Sequence, residues 1–288
     1  MPGLTELSSL LQGDSTLFIT VSVVFGLMVG SFLNVVIYRL PKMMEQEWHN
    51  NCLELQGKDI PTQQQFTLSK PRSSCPHCGH KIKASENIPV ISYLLLRGRC
   101  SACKTPISIR YPLVETLTGA LIGLTSWQFG YTTVTLFAWV FVFALIALTF
   151  IDFDTQLLPD DITLPLLWLG LLFNLNSGFT DLKSAVIGAM AGYLVLWSVF
   201  WLFKLIRGKE GMGYGDFKLL AAIGAWFGWQ LLPAVILLSS TLGAIIGIAL
   251  IVLTKRSKEV PIPFGPFLAI GGIAALFFGQ QLSQIYLP

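Results

Sequence analysis

The chain has 288 residues, 53% of them hydrophobic and 12% charged, with a mean hydropathy of +0.65 and a formal net charge of +3. Soluble domains carry about 25% charged residues, so this composition excludes an ordinary water-soluble protein. Apolar surface on this scale has to be buried in lipid.

The first apolar run covers 17–38. Only Glu6 and Asp14 precede it, and the first basic residue, Arg39, follows it. A secretory signal opens on a positive segment, so this run is expected to be a retained first transmembrane helix with its N-terminus outside. Residues 40–110 form the one stretch polar enough to be a water-soluble insert. About 70 residues is small for an independent core, and domains of that size often need a metal or disulfide. Four of the five cysteines lie here, as Cys75-Pro-His-Cys78 and Cys100-Ser-Ala-Cys103. Two such knuckles bring four thiolates around one tetrahedral zinc ion. A redox dithiol is the rival reading; the second CxxC, the lack of a βαβ pattern and a reducing compartment weigh against it. His77 and His80 are alternative ligands or solvated loop histidines. Cys52 is expected to be an ordinary thiol, and 43–68 to be helix plus loop without chemistry.

Seven more apolar runs follow, at 113–129, 133–151, 162–178, 184–206, 217–229, 231–254 and 265–282. A helical span needs about 20 residues, so 217–229 is short, and its boundary at Leu231-Leu232-Pro233 is indistinct. The expectation is an all-α polytopic membrane protein of about eight transmembrane helices, with a zinc-binding cytoplasmic insert between the first two. The domains are then 17–38 for the first helix, 40–110 for the four-cysteine insert and 111–288 for a seven-helix membrane domain. Lys and Arg collect in cytoplasmic loops. Eleven of the 19 lie between Arg39 and Arg110, and Lys204, Arg207, Lys209, Lys218, Lys255, Arg256 and Lys258 cluster in later loops. Only Lys183 is left for the other side. Eight spans starting outside put 39–110, 152–161, 207–217 and 255–264 in the cytoplasm, in agreement with this bias.

That topology places Asp152, directly after an apolar run, and Asp216, directly before one, at the same cytoplasmic membrane edge. An ionisable residue there is costly and signals function. Two adjacent carboxylates can share a proton and split a peptide bond. Asp154 and Asp161 read as loop polarity, and Asp160 as a cap for the next helix. Gly211, Gly213 and Gly215 alternate before Asp216. Exposed backbone there, at Gly213 and Gly215, suits an extended peptide substrate, although a flexible loop has the same composition. Glu115 is a buried polar contact or part of a second site. Ion transport, or an assembly subunit whose aspartates merely cap helices, are the competing functions.

The chain resembles the type IV prepilin peptidases, the bifunctional leader peptidase/N-methyltransferases. The likeness rests on Gly30-Ser-Phe-Leu-Asn-Val35 with Arg39-Leu-Pro41, the two CxxC pairs, and Arg110-Tyr-Pro-Leu-Val-Glu115. It continues through Ile151-Asp-Phe-Asp-Thr-Gln-Leu-Leu-Pro-Asp160, Gly211-Met-Gly-Tyr-Gly-Asp-Phe-Lys218 and Pro261-Ile-Pro-Phe-Gly-Pro-Phe267. The resemblance implies a GxGD-type aspartic protease of the bacterial inner membrane, with its N-terminus periplasmic and its active site at the cytoplasmic face. It implies Asp152 and Asp216 as the catalytic pair and Cys75, Cys78, Cys100 and Cys103 as zinc ligands. It implies cleavage of the leaders of type IV prepilins and type II secretion pseudopilins, followed by N-methylation with S-adenosylmethionine. The expected partners are those substrates and the bilayer, with no nucleic acid. No GxGxxG follows a strand, so the residues that bind S-adenosylmethionine are not marked. Which aspartate is acid and which is base is left open.

Overall fold

A computed structural model describes residues 2–58, 66–209, 211–254 and 262–285. The expected basic residues Lys255, Arg256 and Lys258, and Pro261, lie outside them. The described residues contain ten α-helices and no strand, only two isolated antiparallel bridges. The helices are α1 (Pro2–Gly13), α2 (Ser15–Leu55), α3 (Ile91–Leu95), α4 (Arg110–Phe129), α5 (Thr133–Thr155), α6 (Asp160–Asn174), α7 (Leu182–Arg207), α8 (Tyr214–Phe227), α9 (Leu232–Thr254) and α10 (Gly265–Gln284). Each of the eight apolar runs centres on one helix, although 162–178 overruns the end of α6 and 217–229 that of α8.

Among the described residues five stretches are long and apolar enough to cross a membrane: α2, α5, α7, Trp229–Leu250 and α10. The protein is an all-α, multi-pass membrane protein. The expected count of eight is not reached by that measure. At 1.5 Å per residue, α6 and α8 (15 and 14 residues) reach only about 22 Å, short of a hydrocarbon core of about 30 Å. The 20-residue α4 is diluted by Glu115, Thr116, Thr118, Thr125, Ser126 and Gln128.

The chain divides into two compact units, Met1–Thr135 and Leu136–Pro288. In the first, α2 packs along α4. Asp14 starts α2 by accepting from the Thr16 and Leu17 amides at 2.8 and 3.1 Å, satisfying two orphan donors of the first turn. The helices meet closely where side chains are missing. A Cβ on Gly30 would lie 2.8 Å from Glu115 Cα, and one on Gly26 3.0 Å from Gly119 Cα. Arg39 is buried at the end of the apolar run. Its guanidinium donates to the carbonyls of Thr67 and Pro71 at 2.8 and 2.7 Å, which offsets the cost of burying it.

In the second unit α8 is the hub, packed by α6, α7 and α10. Apart from Lys218, every residue from Asp216 to Phe227 is buried. This explains why the run is short: a helix enclosed by other helices need not match the bilayer. Alpha-7 approaches α8 through Gly188 and Gly192, a small-xxx-small pair that lets backbones touch. Gly188 faces the Gly224 carbonyl, and a Cβ on Gly192 would lie 2.6 Å from the Leu220 carbonyl oxygen. Asn174, 1% exposed, closes the far end of α8. Its amide nitrogen donates to the Ala225 and Trp226 carbonyls at 2.8 and 2.9 Å. Its carbonyl accepts from the Phe179 and Thr180 amides at 2.9 and 3.2 Å. Gly228, at φ +81°, then turns the chain toward α9, which resolves the indistinct boundary near Leu231.

Candidate active site and metal centre

Asp152 sits in the last turn of α5 and is 4% exposed. Gln156 ends that helix in the left-handed region, at φ +55°, its amide bonding back to the Asp152 carbonyl at 2.9 Å. Leu157-Leu158-Pro159 then leads into α6. Asp216 occupies the first turn of α8 and is 6% exposed. Its Oδ2 accepts from the Gly213 amide at a long 3.3 Å, and its Oδ1 is buried without a hydrogen bond.

Leu158 joins the two. A Cβ on Gly215 would lie 2.7 Å from Leu158 Cβ, and one on Gly265 would lie 3.1 Å from Leu158 Cδ2 and 2.6 Å from Asp152 Oδ2. Leu158 therefore lies between the starts of α8 and α10, and the start of α10 in turn meets Asp152 at the end of α5. The Gly265 amide donates to Asp152 Oδ2 at 2.9 Å. That contact crosses 113 residues, and sequence reasoning assigned Gly265 no role. The available signal was Gly265-Pro266 opening an apolar run, since proline is favoured in a helix's first turn.

Asp160 does not act as the expected side-chain cap. Its carboxylate accepts from Lys218 Nζ at 2.7 Å, bracing α6 against α8 two residues beyond Asp216. Asp154 and Asp161 are exposed, but they are not loop residues as expected: Asp154 lies in the last turn of α5 and Asp161 in the first turn of α6. Gly213 is extended (φ −86°, ψ 153°), whereas Gly215 lies inside α8. The glycine stretch is thus extended only before the helix starts. Glu115 is a buried polar contact: its Oε2 accepts from the Val90 amide at 2.8 Å. Val90 itself holds φ +61°, a strained value for a β-branched residue.

The four cysteines come together in the first unit. Their sulfurs all lie within 4.8 Å of one another, with Cys75–Cys103 at 3.8 Å and Cys78–Cys100 at 4.0 Å. A tetrahedral ion with metal–sulfur bonds of 2.3 Å needs sulfur separations of about 3.8 Å. These four can hold a zinc ion. The two knuckles repeat one geometry. Cys75 N donates to His80 O and Gly79 N to Cys75 O, both at 2.9 Å; Cys100 N donates to Thr105 O at 2.8 Å and Lys104 N to Cys100 O at 3.0 Å. The residue after each second cysteine is left-handed, Gly79 at φ +72° and Lys104 at φ +60°. The Thr105 hydroxyl, 3.2 Å from Cys103 Sγ, and the Thr105 amide hold that thiol down at about 6. The Cys78 and His77 amides lower Cys75. At Cys78 the His80 amide pulls down, but desolvation and the neighbouring sulfurs prevail and raise it to about 11. His80 is no ligand; its Nε2 lies 3.1 Å from Glu86 Oε2. Cys52 is exposed and apart from the cluster.

Residues 24–129 match the Bacterial Peptidase A24 N-terminal domain, and residues 139–248 the Type IV leader peptidase family. A prepilin leader peptidase/N-methyltransferase of Aeromonas hydrophila is 55% identical over 98% of both chains. A protein of that name from Pseudomonas aeruginosa is 53% identical over 94% of this chain and 93% of its own length. One from Burkholderia pseudomallei is 52% identical over 90% and 84% respectively. No solved structure matches the chain.

Proposed function

Because the chain belongs to the type IV leader peptidase family, we propose that it cleaves the leaders of prepilins and pseudopilins with Asp152 and Asp216 and then methylates the new N-terminus. The observation that carries the protease half is that the helix ends bearing the two buried carboxylates are joined through Leu158, which packs between Gly215 and Gly265. Two such carboxylates share a proton. One takes a proton from water as it attacks the scissile carbonyl, and the other donates to the carbonyl oxygen. The extended backbone at Gly213 can pair with an extended substrate segment. Gly215 brings Leu158 up against the start of α8.

S-adenosylmethionine supplies the methyl group, and the freed amine of the processed chain receives it. Cys75, Cys78, Cys100 and Cys103 would hold a zinc ion, which would tie the two knuckles of the 40–110 insert together. Both aspartates belong to the helices of 111–288. The distribution of Lys and Arg supports a periplasmic N-terminus and an active site at the cytoplasmic face of the bacterial inner membrane. There the border of a pilin's hydrophobic helix would meet the dyad.

The test is mass spectrometry of a prepilin incubated in detergent with the purified protein and S-adenosylmethionine. A shortened product carrying one extra methyl is expected. Asp152→Asn and Asp216→Asn, at normal protein level, should each lose cleavage by at least about 10³-fold. Full processing by either variant removes the dyad assignment.

A further inference from the structure

We infer that the two aspartates have fixed and different roles: Asp152 is the ionised base and Asp216 the protonated acid, a division set by the Gly265 amide at the start of α10. This rests on the dyad reading above. The two carboxylates are equally buried but unequally supplied with donors. Asp152 Oδ2 accepts a 2.9 Å hydrogen bond from Gly265 N. That amide is the free donor at the N-terminus of a 20-residue helix, where the backbone dipoles favour negative charge. Pro266 has no N–H, and the Phe267 and Leu268 amides are already bonded to the Phe264 carbonyl at 3.1 and 3.2 Å. The helix therefore directs its one free amide at Asp152.

Asp216 also lies in a helix's first turn, that of α8. Among the described residues its single donor, the Gly213 amide, is 3.3 Å away, and its Oδ1 is buried with no hydrogen bond. A buried anionic oxygen without a donor is costly. A carboxylic O–H at the same place is a donor available to a substrate carbonyl. Among the described residues, the charged groups near the pair do not reverse the order. Alpha-10 carries no charged side chain. Lys218 of α8 is bonded to Asp160 of α6, and Asp154 and Asp161 are exposed.

The chemistry then closes on itself. Asp152 takes a proton from water as the water oxygen bonds to the scissile carbon, and Asp216 gives its proton to the carbonyl oxygen. When the carbon–nitrogen bond breaks, Asp152 passes its proton to the leaving amine. Asp216 recovers a proton from one hydroxyl of the gem-diol. Asp152 ends ionised and Asp216 protonated, as they began.

Gly265 is a positioning residue, since it acts through Asp152. A Cβ there would fall 2.6 Å from Asp152 Oδ2, so Gly265→Ala pushes the carboxylate off its donor. The test is the pH profile of kcat/KM for prepilin cleavage, in the full-length protein in detergent, for Gly265→Ala beside Asp152→Asn and Asp216→Asn. The expected result is an acidic limb moved up by about one pH unit in Gly265→Ala, the worth of one charge-assisted bond. A merely structural loss would lower the rate and leave the limb in place. Asparagine can still donate but cannot accept a proton, so Asp216→Asn should keep at least ten times the residual activity of Asp152→Asn. An unmoved limb, or the reverse order of residual activities, overturns the assignment while leaving the dyad standing. Full activity in either asparagine variant overturns the dyad itself, and the assignment with it. Should Gly265→Ala fail to fold, the order of the two asparagine variants decides alone.

Discussion

Replacing Gly188 by alanine tests whether the close crossing of α7 and α8 holds the active site in shape. A Cβ at Gly188 would strike the Gly224 carbonyl and lie 2.8 Å from both Gly228 C and Trp229 N. All three obstacles are backbone, so no side chain can swing away. Relief to an ordinary contact of about 3.4 Å requires the helices to part by about 0.6 Å or more. Overpacking of this kind costs about 1–3 kcal/mol, or roughly 2–10 °C in Tm for a chain of this size. Asp216 rides on α8, and a displacement approaching 1 Å at a reacting group lowers rate by about 10²-fold. The assay pairs thermal unfolding in detergent with initial rates of prepilin cleavage. Gly13→Ala is the control, because nothing lies within 4 Å of a Cβ there. A Gly188→Ala protein with wild-type Tm and wild-type rate would refute the reasoning.

Three further outcomes are expected. Gly79→Ala forces a side chain to φ +72° with open space around it, so it should cost about 1–2 kcal/mol of pure backbone strain; competition with a chelator should show zinc affinity reduced about 5-fold or more. Glu86 is held down at about 2, first by the Lys83 amide and then by Ser101 and His80. A depressed folded value stabilises above the group's ordinary titration near 4.5 and is lost as pH falls toward 2, so the difference in Lys83 amide protection between wild type and Glu86→Gln should be flat above pH 5 and close below pH 4. Asn174→Ala strips partners from two buried carbonyls and two amides, and should lower stability by at least about 3 kcal/mol in detergent melts.

Much of this architecture can be read from residue order, for physical reasons that also mark the boundary of such reading. An apolar run such as 184–206 yields a helix, here Leu182–Arg207, because backbone groups removed from water must bond within their own segment. The CxxC pairs reveal the four-cysteine cluster because a knuckle is local and its spacing fixes its shape. Asp152 and Asp216 stand out because each carboxylate abuts apolar residues. What stays hidden is neighbourhood. Residues 217–229 are as apolar against protein as they would be against lipid, so nothing in them tells that α8 is the hub. Gly265 and Asp152 meet across 113 residues, and no periodicity reports such a contact. Asp160 reads equally well as a helix cap or as the partner of Lys218 until the two helices are seen side by side.

Helix α2 runs unbroken for 41 residues, straight through Pro41. At 1.5 Å per residue it is about 60 Å long, twice the hydrocarbon thickness of about 30 Å. The part from Lys42 to Leu55 therefore stands beyond Arg39 as a rigid rod of about 20 Å. A rod of this kind has a phase as well as a length. One residue inserted after Pro41 would advance everything beyond it by only about 1.5 Å but swing it through about 100°. Insertions of seven residues, close to two full turns, would preserve the bearing. Tolerance to length changes in this arm should therefore be periodic rather than graded.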